Sequence, residues 1–267
     1  MLRISRQLIL LKSRLKKLRV VVSVYHFISR TLRRTSARRA LSRLRRSDFV
    51  QVSSNLRTDP RCGLNSLCER YGSDKGGRLN GHHPYPWPPH QYADFYSQRL
   101  FNAREEILAV FECGIGTNNG LAPSNMSDKG RPGASLRVWR DYFPKAQVVG
   151  ADIDRSVLFT DHRISTYWVD QRESKSVSNM WEQVEVSEFD LMVDDGLHTF
   201  EAGVNLFNGS IHKLKSSGMY VIEDVTPRDL RRWQEYFQDA AFSVEFIAFH
   251  NAKRFRGEQS LVAVRKL

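Results

Sequence analysis

Residues 189–199 read FDLMVDDGLHT, and residues 218–225, about thirty positions further on, read GMYVIEDV. Each segment is a short apolar run that ends in acidic residues, as buried parallel strands do when their carboxyl ends open into a site. Adjacent strands lie about 5 Å apart, so two neighbouring tips would bring their acidic residues together. The residues concerned are Asp194, Asp195, Glu223 and Asp224.

These four carboxylates would repel one another unless a positive charge lay among them. A divalent cation is the simplest candidate, and His198, three residues after Asp195, is placed to act beside it. A structural alternative stays open for the two adjacent aspartates, because acids are also favoured as the amino-terminal cap of a following helix. For His198 considered alone, a structural role is the alternative.

An alternating pattern of strands and helices follows residue 92. It predicts an α/β fold with a doubly wound, mostly parallel sheet of seven strands that binds its ligands outside the carboxyl ends of the strands. The predicted strands are residues 107–113, 147–151, 164–169, 189–193, 219–222, 242–249 and 261–265. The predicted helices are residues 92–104, 134–142, 175–185, 200–214 and 226–239.

The formal charge of +12 on 267 residues suggests a nucleic-acid binder, but its distribution argues against one. Residues 1–47 hold 15 Lys and Arg and no acidic residue, whereas the remainder carries 26 basic against 29 acidic residues. The remainder therefore shows no phosphate-binding footprint, and no nucleic-acid partner is expected. Cys62, Cys68 and Cys113 lack CxxC spacing, which disfavours a disulfide framework or a zinc site and fits a reducing compartment.

Within residues 1–47, apolar side chains recur at alternating steps of four and three from Ile4 to Tyr25. The spacing predicts a basic amphipathic helix, and its apolar runs are far shorter than the roughly 20 residues that span a bilayer. We interpret it as a leader that binds an anionic membrane surface, which predicts a cytoplasmic, peripherally membrane-associated protein. A solvated or partner-packed helix and an organellar transit peptide are the alternatives.

The composition changes after residue 48, so we divide the chain into the leader 1–47, a linker and lid region 48–91, and a sheet domain 92–267. The middle region contains YGSDKG at residues 71–76 and HHPYPWPPHQY at residues 82–92. A loop so dense in His, Pro and aromatic residues either covers a site or packs as a structural connector, and the sequence favours neither.

The first predicted strand runs into ECGIGTNN at residues 112–119. Asn119 stands where a dinucleotide-binding fingerprint requires glycine, and the P-loop lysine is absent. Gly114 and Gly116 allow close approach of a ligand, and Asp152 at the tip of the next strand can accept hydrogen bonds from a ribose diol. An adenosine-type ligand without phosphates fits best. S-adenosylmethionine is such a ligand, and Glu112 could address its cationic methionine end directly or through water.

These residues carry a resemblance to a known family. The motifs are E-x-G-x-G, SLRVWRDYFPKAQVVGADID, WVDQ, FDLMVDDGLHT and GMYVIEDV. Together they resemble class I S-adenosylmethionine-dependent methyltransferases, with a Rossmann-like fold, and in particular the metal-dependent sugar O-methyltransferases of the mycinamicin and macrocin type. The resemblance covers residues 71–267 and excludes the basic leader.

The resemblance implies a set of site residues. Asp195, Glu223 and Asp224 would be magnesium ligands, and His198 the general base. The residues of the cofactor site would be Glu112, Gly114, Gly116, Asp152, Asp170, Gln171 and Asp194. The chain departs from the family pattern in an insertion at residues 117–133, which leaves the acceptor open.

The predicted function is Mg²⁺-assisted methylation, by S-adenosylmethionine, of a sugar hydroxyl on a glycan, glycolipid or glycosylated metabolite. Mg²⁺ would polarise the hydroxyl while the neutral imidazole of His198, with Asp195 beside it, accepts the proton. Two other classes stay open: a nicotinamide-dependent oxidoreductase and a non-catalytic, membrane-associated binding module. The oligomeric state, including a homo-oligomer, is not determined by the sequence.

Overall fold

The computed structural model of the protein describes residues 39, 51–53, 63–77, 85, 87, 89–249 and 260–266. The predicted amphipathic helix of the leader lies outside the described residues. Among the residues that are described, no helix is both long and apolar enough to cross a membrane.

A nine-stranded sheet forms the centre of the molecule. Its strands are β1 (Gln51–Ser53), β2 (Ala109–Cys113), β3 (Gln147–Asp152), β4 (Thr160–Asp161), β5 (Ile164–Trp168), β6 (Phe189–Asp194), β7 (Leu214–Ile222), β8 (Phe242–Ala248) and β9 (Ser260–Lys266). Their spatial order is β1-β8-β9-β7-β6-β2-β3-β5-β4. β9 runs antiparallel to both neighbours, and β4 is antiparallel to β5. The remaining pairs are parallel.

Six α-helices accompany the sheet within the described part of the chain. They are α1 (Leu64–Tyr71), α2 (Tyr92–Leu100), α3 (Ala134–Tyr142), α4 (Ser174–Gln183), α5 (Phe200–Ser210) and α6 (Pro227–Phe237). The last begins with a Thr226 cap whose hydroxyl accepts a hydrogen bond from the Asp229 amide, which satisfies one of the unpaired donors of the first turn.

The predicted doubly wound, mostly parallel sheet is confirmed, and all seven predicted strands are present. Two short edge strands, β1 and β4, were not predicted because runs of three and two residues carry no readable periodicity. The predicted helix at residues 200–214 is too long. Helix α5 ends at Ser210, a 3-10 turn follows, and Leu214 begins β7 opposite Phe189.

Apolar clusters cover both faces of the sheet, because alternate residues of each strand point to opposite sides. Phe111 belongs to a cluster that includes Trp181 and Phe189, while its neighbour Val110 belongs to the other. The second cluster also contains Leu64 and residues of α2, so α1 packs onto the sheet domain although it lies in the predicted linker region. The domain limits themselves stay a prediction.

Candidate active site

The carboxyl ends of β2, β6 and β7 meet at one edge of the sheet. β6 lies between the other two strands, and Asp194 pairs in register with Cys113 on one side and Ile222 on the other. The two acidic tips are therefore neighbours, as the sequence predicts. Asp195 and Asp224 extend from them into a cavity of about 540 Å³ that also reaches the glycine turn after β2.

The cavity contacts most of the predicted site residues. Those on its wall are Gly114, Gly116, Asp152, Asp170, Gln171, Asp195, His198 and Asp224. Glu112, Asp194 and Glu223 are buried behind the wall, with exposures of 0%, 4% and 1%. The structure thus brings the whole predicted set together but divides it into residues that face the cavity and residues that support them.

Lys75 is a buried residue at the centre of the acidic cluster that sequence reasoning missed. Its ammonium lies 2.6 Å from Asp195 Oδ2 and 3.4 Å from Glu112 Oε1, and it donates a hydrogen bond to Glu223 Oε2. Burial alone would lower the pKa of Lys75, but the three carboxylates raise it well above its ordinary value. The ammonium is therefore charged and offsets part of the acidic cluster.

One sequence signal could have pointed to Lys75. It lies in YGSDKG, where the glycine that follows packs so closely on α1 that a Cβ there would lie 2.5 Å from Cys68 Cβ. A glycine required by close packing fixes the path of the adjacent backbone. It does not, however, reveal which distant side chains the lysine meets.

His198 lies against two of the cavity-facing carboxylates. Its Nε2 is 3.2 Å from Asp195 Oδ1 and 3.7 Å from Asp224 Oδ2. Burial favours the neutral imidazole, but the hydrogen bond to Asp195 and the charge of Asp224 outweigh it and raise the pKa of His198 to about 10. His198 and Asp224 both have positive φ, 58° and 52°, a sparsely populated conformation that is concentrated at functional sites.

Tyrosine hydroxyls from α2 hold the tip of β7. Tyr96 donates to Glu223 Oε1 at 2.5 Å, and Tyr92 donates to Asp224 Oδ1. Glu223 therefore has both carboxylate oxygens hydrogen-bonded, one by Tyr96 and one by Lys75. Asp224 keeps its second oxygen toward His198.

The cluster fits a divalent cation. Asp195, His198 and Asp224 each present a ligand atom within 4.8 Å of the others. Glu112, Asp195 and Glu223 contact the Lys75 ammonium, and Asp224 lies beside His198, so an ion held by Asp195 and Asp224 would meet carboxylate oxygens. Carboxylate oxygens are the donors that Mg²⁺ prefers. A ligand role for Glu223 stays a prediction.

The glycine turn after β2 is held by Asp152. Its Oδ2 accepts from the Ile115 amide at 3.0 Å, and its Oδ1 accepts from the Asp154 amide at 2.9 Å. Gly114 has φ of 89°, and a Cβ there would lie 2.1 Å from the Asp195 carbonyl oxygen. The turn therefore requires glycine and packs directly on the acidic tip of β6.

Gln171 connects the end of β6 with the neighbouring loop. It donates to Asp194 Oδ1 at 3.2 Å and accepts from the Leu197 amide at 2.7 Å. Burial raises the pKa of Asp194 to about 6. Asp170, also on the wall, accepts two hydrogen bonds from the Arg172 guanidinium and one from the Arg172 amide, which lower its pKa.

Glu112 lies deeper than the sequence reasoning anticipated. It accepts from the Trp139 indole and lies near Lys75, and burial raises its pKa. In this arrangement Glu112 lies behind the cavity wall, against Lys75 and Ser135, which line the cavity. The insertion at residues 117–133, by contrast, lies at the cavity as predicted, since residues 122–126 form part of its wall.

The chain is similar in sequence to O-methyltransferases that act on sugars. It is 29% identical over 186 residues to the 8-demethyl-8-alpha-L-rhamnosyl tetracenomycin-C 2'-O-methyltransferase of Streptomyces olivaceus. The matched region is 69% of this chain and 44% of that relative. It is 32% identical over 165 residues to the L-olivosyl-oleandolide 3-O-methyltransferase of Streptomyces antibioticus, 60% of this chain and 36% of that one. The chain thus spans less than half the length of these relatives in the matched regions. No family model matches the chain.

Among solved structures, the chain resembles the MycE methyltransferase of the mycinamycin biosynthetic pathway in complex with Mg, SAH and mycinamycin VI. The TM-score is 0.55 at 23% identity, and the match covers 76% of this chain and 54% of that one. The similarity to sugar O-methyltransferases that the motifs indicate is therefore confirmed, and the chain has the Rossmann-like methyltransferase fold.

Proposed function

We propose that the protein is an S-adenosylmethionine-dependent O-methyltransferase that acts on a sugar hydroxyl with the help of Mg²⁺. One observation carries the proposal: the glycine turn after β2 and the Asp195, His198 and Asp224 cluster open into the same cavity. A nucleoside cofactor held at the turn would therefore direct its reactive end toward the acidic cluster.

The reaction transfers a methyl group from a sulfonium to an oxygen, so the sulfur–carbon bond breaks as the carbon–oxygen bond forms. The sulfonium is already a strong electrophile, and the protein must align the acceptor oxygen and remove its proton. Asp195 and Asp224 would hold Mg²⁺, with Glu223 as the third ligand that the resemblance implies. The bound ion would polarise the hydroxyl and stabilise the developing alkoxide.

His198 would accept the hydroxyl proton, which requires a neutral imidazole. Without a metal, the neighbouring carboxylates raise the pKa of His198 to about 10, and the ring is protonated at neutral pH. A cation bound by these same carboxylates would neutralise their charge and so lower the pKa of His198. We therefore expect the imidazole to become an effective base only in the metal-loaded protein.

The acceptor class follows from the relatives, whose names specify rhamnosyl and olivosyl acceptors. We propose a glycosylated metabolite as the acceptor, with glycans and glycolipids as the other candidates within the same chemistry. A vicinal diol suits the site, because Mg²⁺ retains several exchangeable positions when few protein ligands bind it.

Calorimetry tests the cofactor assignment directly. The wild-type protein should bind S-adenosylmethionine, and Asp152→Ala should lose that binding because it removes the ribose acceptor and releases the glycine turn. Absence of binding to the wild-type protein would refute the proposal. Binding of NAD(H) instead would support the oxidoreductase alternative, and binding without methyl transfer to any glycoside in Mg²⁺ or Mn²⁺ would support the non-catalytic module.

We also propose that residues 1–47 bind an anionic membrane surface. The support is sequence alone: 15 positive charges beside an apolar stripe, each charge contributing on the order of 1 kcal/mol near the surface. The full-length protein should sediment with anionic liposomes at low salt and be released at high salt. A chain that starts at Ser53 should stay in the supernatant, and equal sedimentation of both would refute the anchor.

A further inference from the structure

The cavity has an aromatic wall that the reaction described above does not use. Trp87 and Tyr85 lie in the segment before α2, and their rings stack with centroids 5.0 Å apart. Tyr85 is buried, with its hydroxyl donating to the Gly72 carbonyl at 2.6 Å, whereas Trp87 keeps part of its surface exposed. Both rings line the cavity.

The aromatic wall is fixed in place by polar groups at its edge. The Trp87 indole donates to Asp74 Oδ2 at 2.8 Å, and the same oxygen lies 3.5 Å from His90 Nδ1. The other ring nitrogen of His90 lies 3.8 Å from Asp224 Oδ1. A continuous line of contacts therefore runs from the indole to the acidic cluster.

The chemistry of this wall favours one kind of ligand. A partly exposed indole offers an apolar face, and Asp74 and His90 offer hydrogen-bonding groups beside it. A pyranose ring has the matching surface, with C–H bonds on its faces and hydroxyls around its edge. A ring stacked on Trp87 would direct an edge hydroxyl toward Asp224 and His198.

We propose that Trp87, supported by Tyr85, Asp74 and His90, forms the binding subsite for the acceptor sugar. The inference deepens the proposed function and rests on it for the identity of the reaction. It adds the mode of binding, a pyranoside held through one apolar face, and it assigns Trp87 and Tyr85 to the acceptor rather than to the cofactor.

The adenine ring of the cofactor is the competing occupant of this subsite, since adenine also stacks on aromatic side chains. The contacts favour the sugar, because Trp87 is linked through Asp74 and His90 to Asp224 in the acidic cluster. The predicted ribose acceptor Asp152 instead holds the glycine turn, through bonds from the Ile115 and Asp154 amides. Cofactor affinity in the same variants distinguishes the two occupants.

Saturation-transfer NMR on the full-length protein without cofactor tests the subsite. The probes are methyl glycosides of rhamnose, glucose, mannose and galactose, with the acyclic polyol sorbitol as a control that has hydroxyls but no ring face. The wild-type protein should transfer magnetisation to ring C–H protons of at least one glycoside and not to sorbitol. No transfer to any glycoside, or equal transfer to sorbitol, would overturn the proposal.

Three variants complete the experiment. Trp87→Ala should weaken binding of the glycoside roughly tenfold, and Trp87→Phe, which keeps a ring but loses the bond to Asp74, should weaken it less. Asp74→Asn should also weaken it. S-adenosylmethionine affinity, measured by calorimetry, should stay within about twofold of wild type in all three. Unchanged glycoside binding in Trp87→Ala, or a loss of cofactor affinity that matches it, would overturn the assignment.

If the wild-type protein does not bind S-adenosylmethionine, the proposed function is refuted, but the test of glycoside binding at Trp87 is unaffected. Glycoside binding with no cofactor binding would leave a sugar-binding cavity with a different activity.

Discussion

The two sides of the cavity are built in different ways. The cofactor side consists of strand ends and the turns that follow them: Asp152 ends β3, and Gly114 and Asp195 directly follow β2 and β6. The opposite side includes Asp74, Lys75, Tyr85, Trp87 and His90. Lys75 reaches Asp195 at the end of β6 across 120 residues of sequence. A site assembled from strand ends can be read from local patterns, whereas one closed by a distant segment cannot.

The comparison predicts that the chemistry belongs to the strand ends. His198→Ala should lower turnover by a factor of about 10² to 10⁴, the usual contribution of general base catalysis, with cofactor affinity nearly unchanged. His90→Ala, on the opposite side, should lower turnover less than about tenfold. Steady-state kinetics with S-adenosylmethionine and a glycoside measures both. Equal losses of turnover in the two variants would contradict the assignment of the chemistry to the strand ends.

The next largest effect concerns Lys75, which joins the two sides. Lys75→Met leaves the carboxylates of Glu112, Asp195 and Glu223 without their buried cation and should lower the free energy of unfolding by about 3–5 kcal/mol. Urea denaturation in EDTA measures the effect and excludes compensation by added metal.

Lys215→Met is the matched control for this variant. Its ammonium lies 2.8 Å from Asp190 in a partly exposed pair, which should contribute only about 0–1 kcal/mol. Equal effects of the two substitutions would show that the Lys75 cluster is not a buried charge network. Adding Glu223→Gln to Lys75→Met should recover part of the lost stability, because one uncompensated charge is removed.

Asp194 gives a pH-dependent prediction on the cofactor side. Burial raises its pKa in the folded protein to about 6, above the ordinary value of 3.8, so the folded state binds the proton more tightly than the unfolded chain. Its contribution to stability therefore increases as pH falls through 6 and is lost as pH rises. The full difference is about 3 kcal/mol.

Asp194→Asn removes this titration. Denaturation in EDTA at about pH 7.5 and about pH 4.5 should show wild type gaining about 2 kcal/mol relative to the variant at the lower pH. A constant difference between the two proteins would contradict the assignment of the raised pKa to Asp194.

The smallest expected effect is at Gly116, where φ is 88° and a Cβ would lie 2.5 Å from Met126 Cε in the insertion. Gly116→Ala should cost about 1–2 kcal/mol of stability, because the methionine end can move but the left-handed backbone conformation cannot. Gly120→Ala is the control, with no atom within 4 Å of the added Cβ. Thermal denaturation compares them, and equal costs would show that the turn tolerates a side chain.

The features that could be predicted from the sequence are those that local patterns specify. The acidic tips of β6 and β7 were predictable because an apolar run followed by acids is a local pattern, and parallel neighbours share an edge. β1 and β4 were not, since each is only two or three residues long and pairs at the sheet margin. The end of α5 was missed because Leu214 is apolar and fits helical periodicity, although it pairs with Phe189 in the sheet.

Lys75 and Tyr96 escaped prediction for a different reason. Lys75 meets Asp195 and Glu223, and Tyr96 meets Glu223, across separations of 120 to 148 residues. The sequence near a lysine or tyrosine does not specify what it meets across such a separation. Glu112 was read as a ligand-facing acid because its strand position suggested it. Only the packing of Trp139 and Lys75 shows that it is enclosed.

The Lys75 contacts also bear on where the amino-terminal part of this chain can be shortened. A fragment beginning at Tyr92 would retain the sheet strands β2 to β9 and every predicted cofactor residue, yet it would enclose Glu112 and Glu223 with no cation to balance them. We expect such a fragment to be insoluble or to fold only in acid, where these carboxyls are protonated. A shortened chain for expression should therefore keep Lys75, and it should also keep α1, because Leu64 and Cys68 of that helix pack in the core although neither lines the cavity.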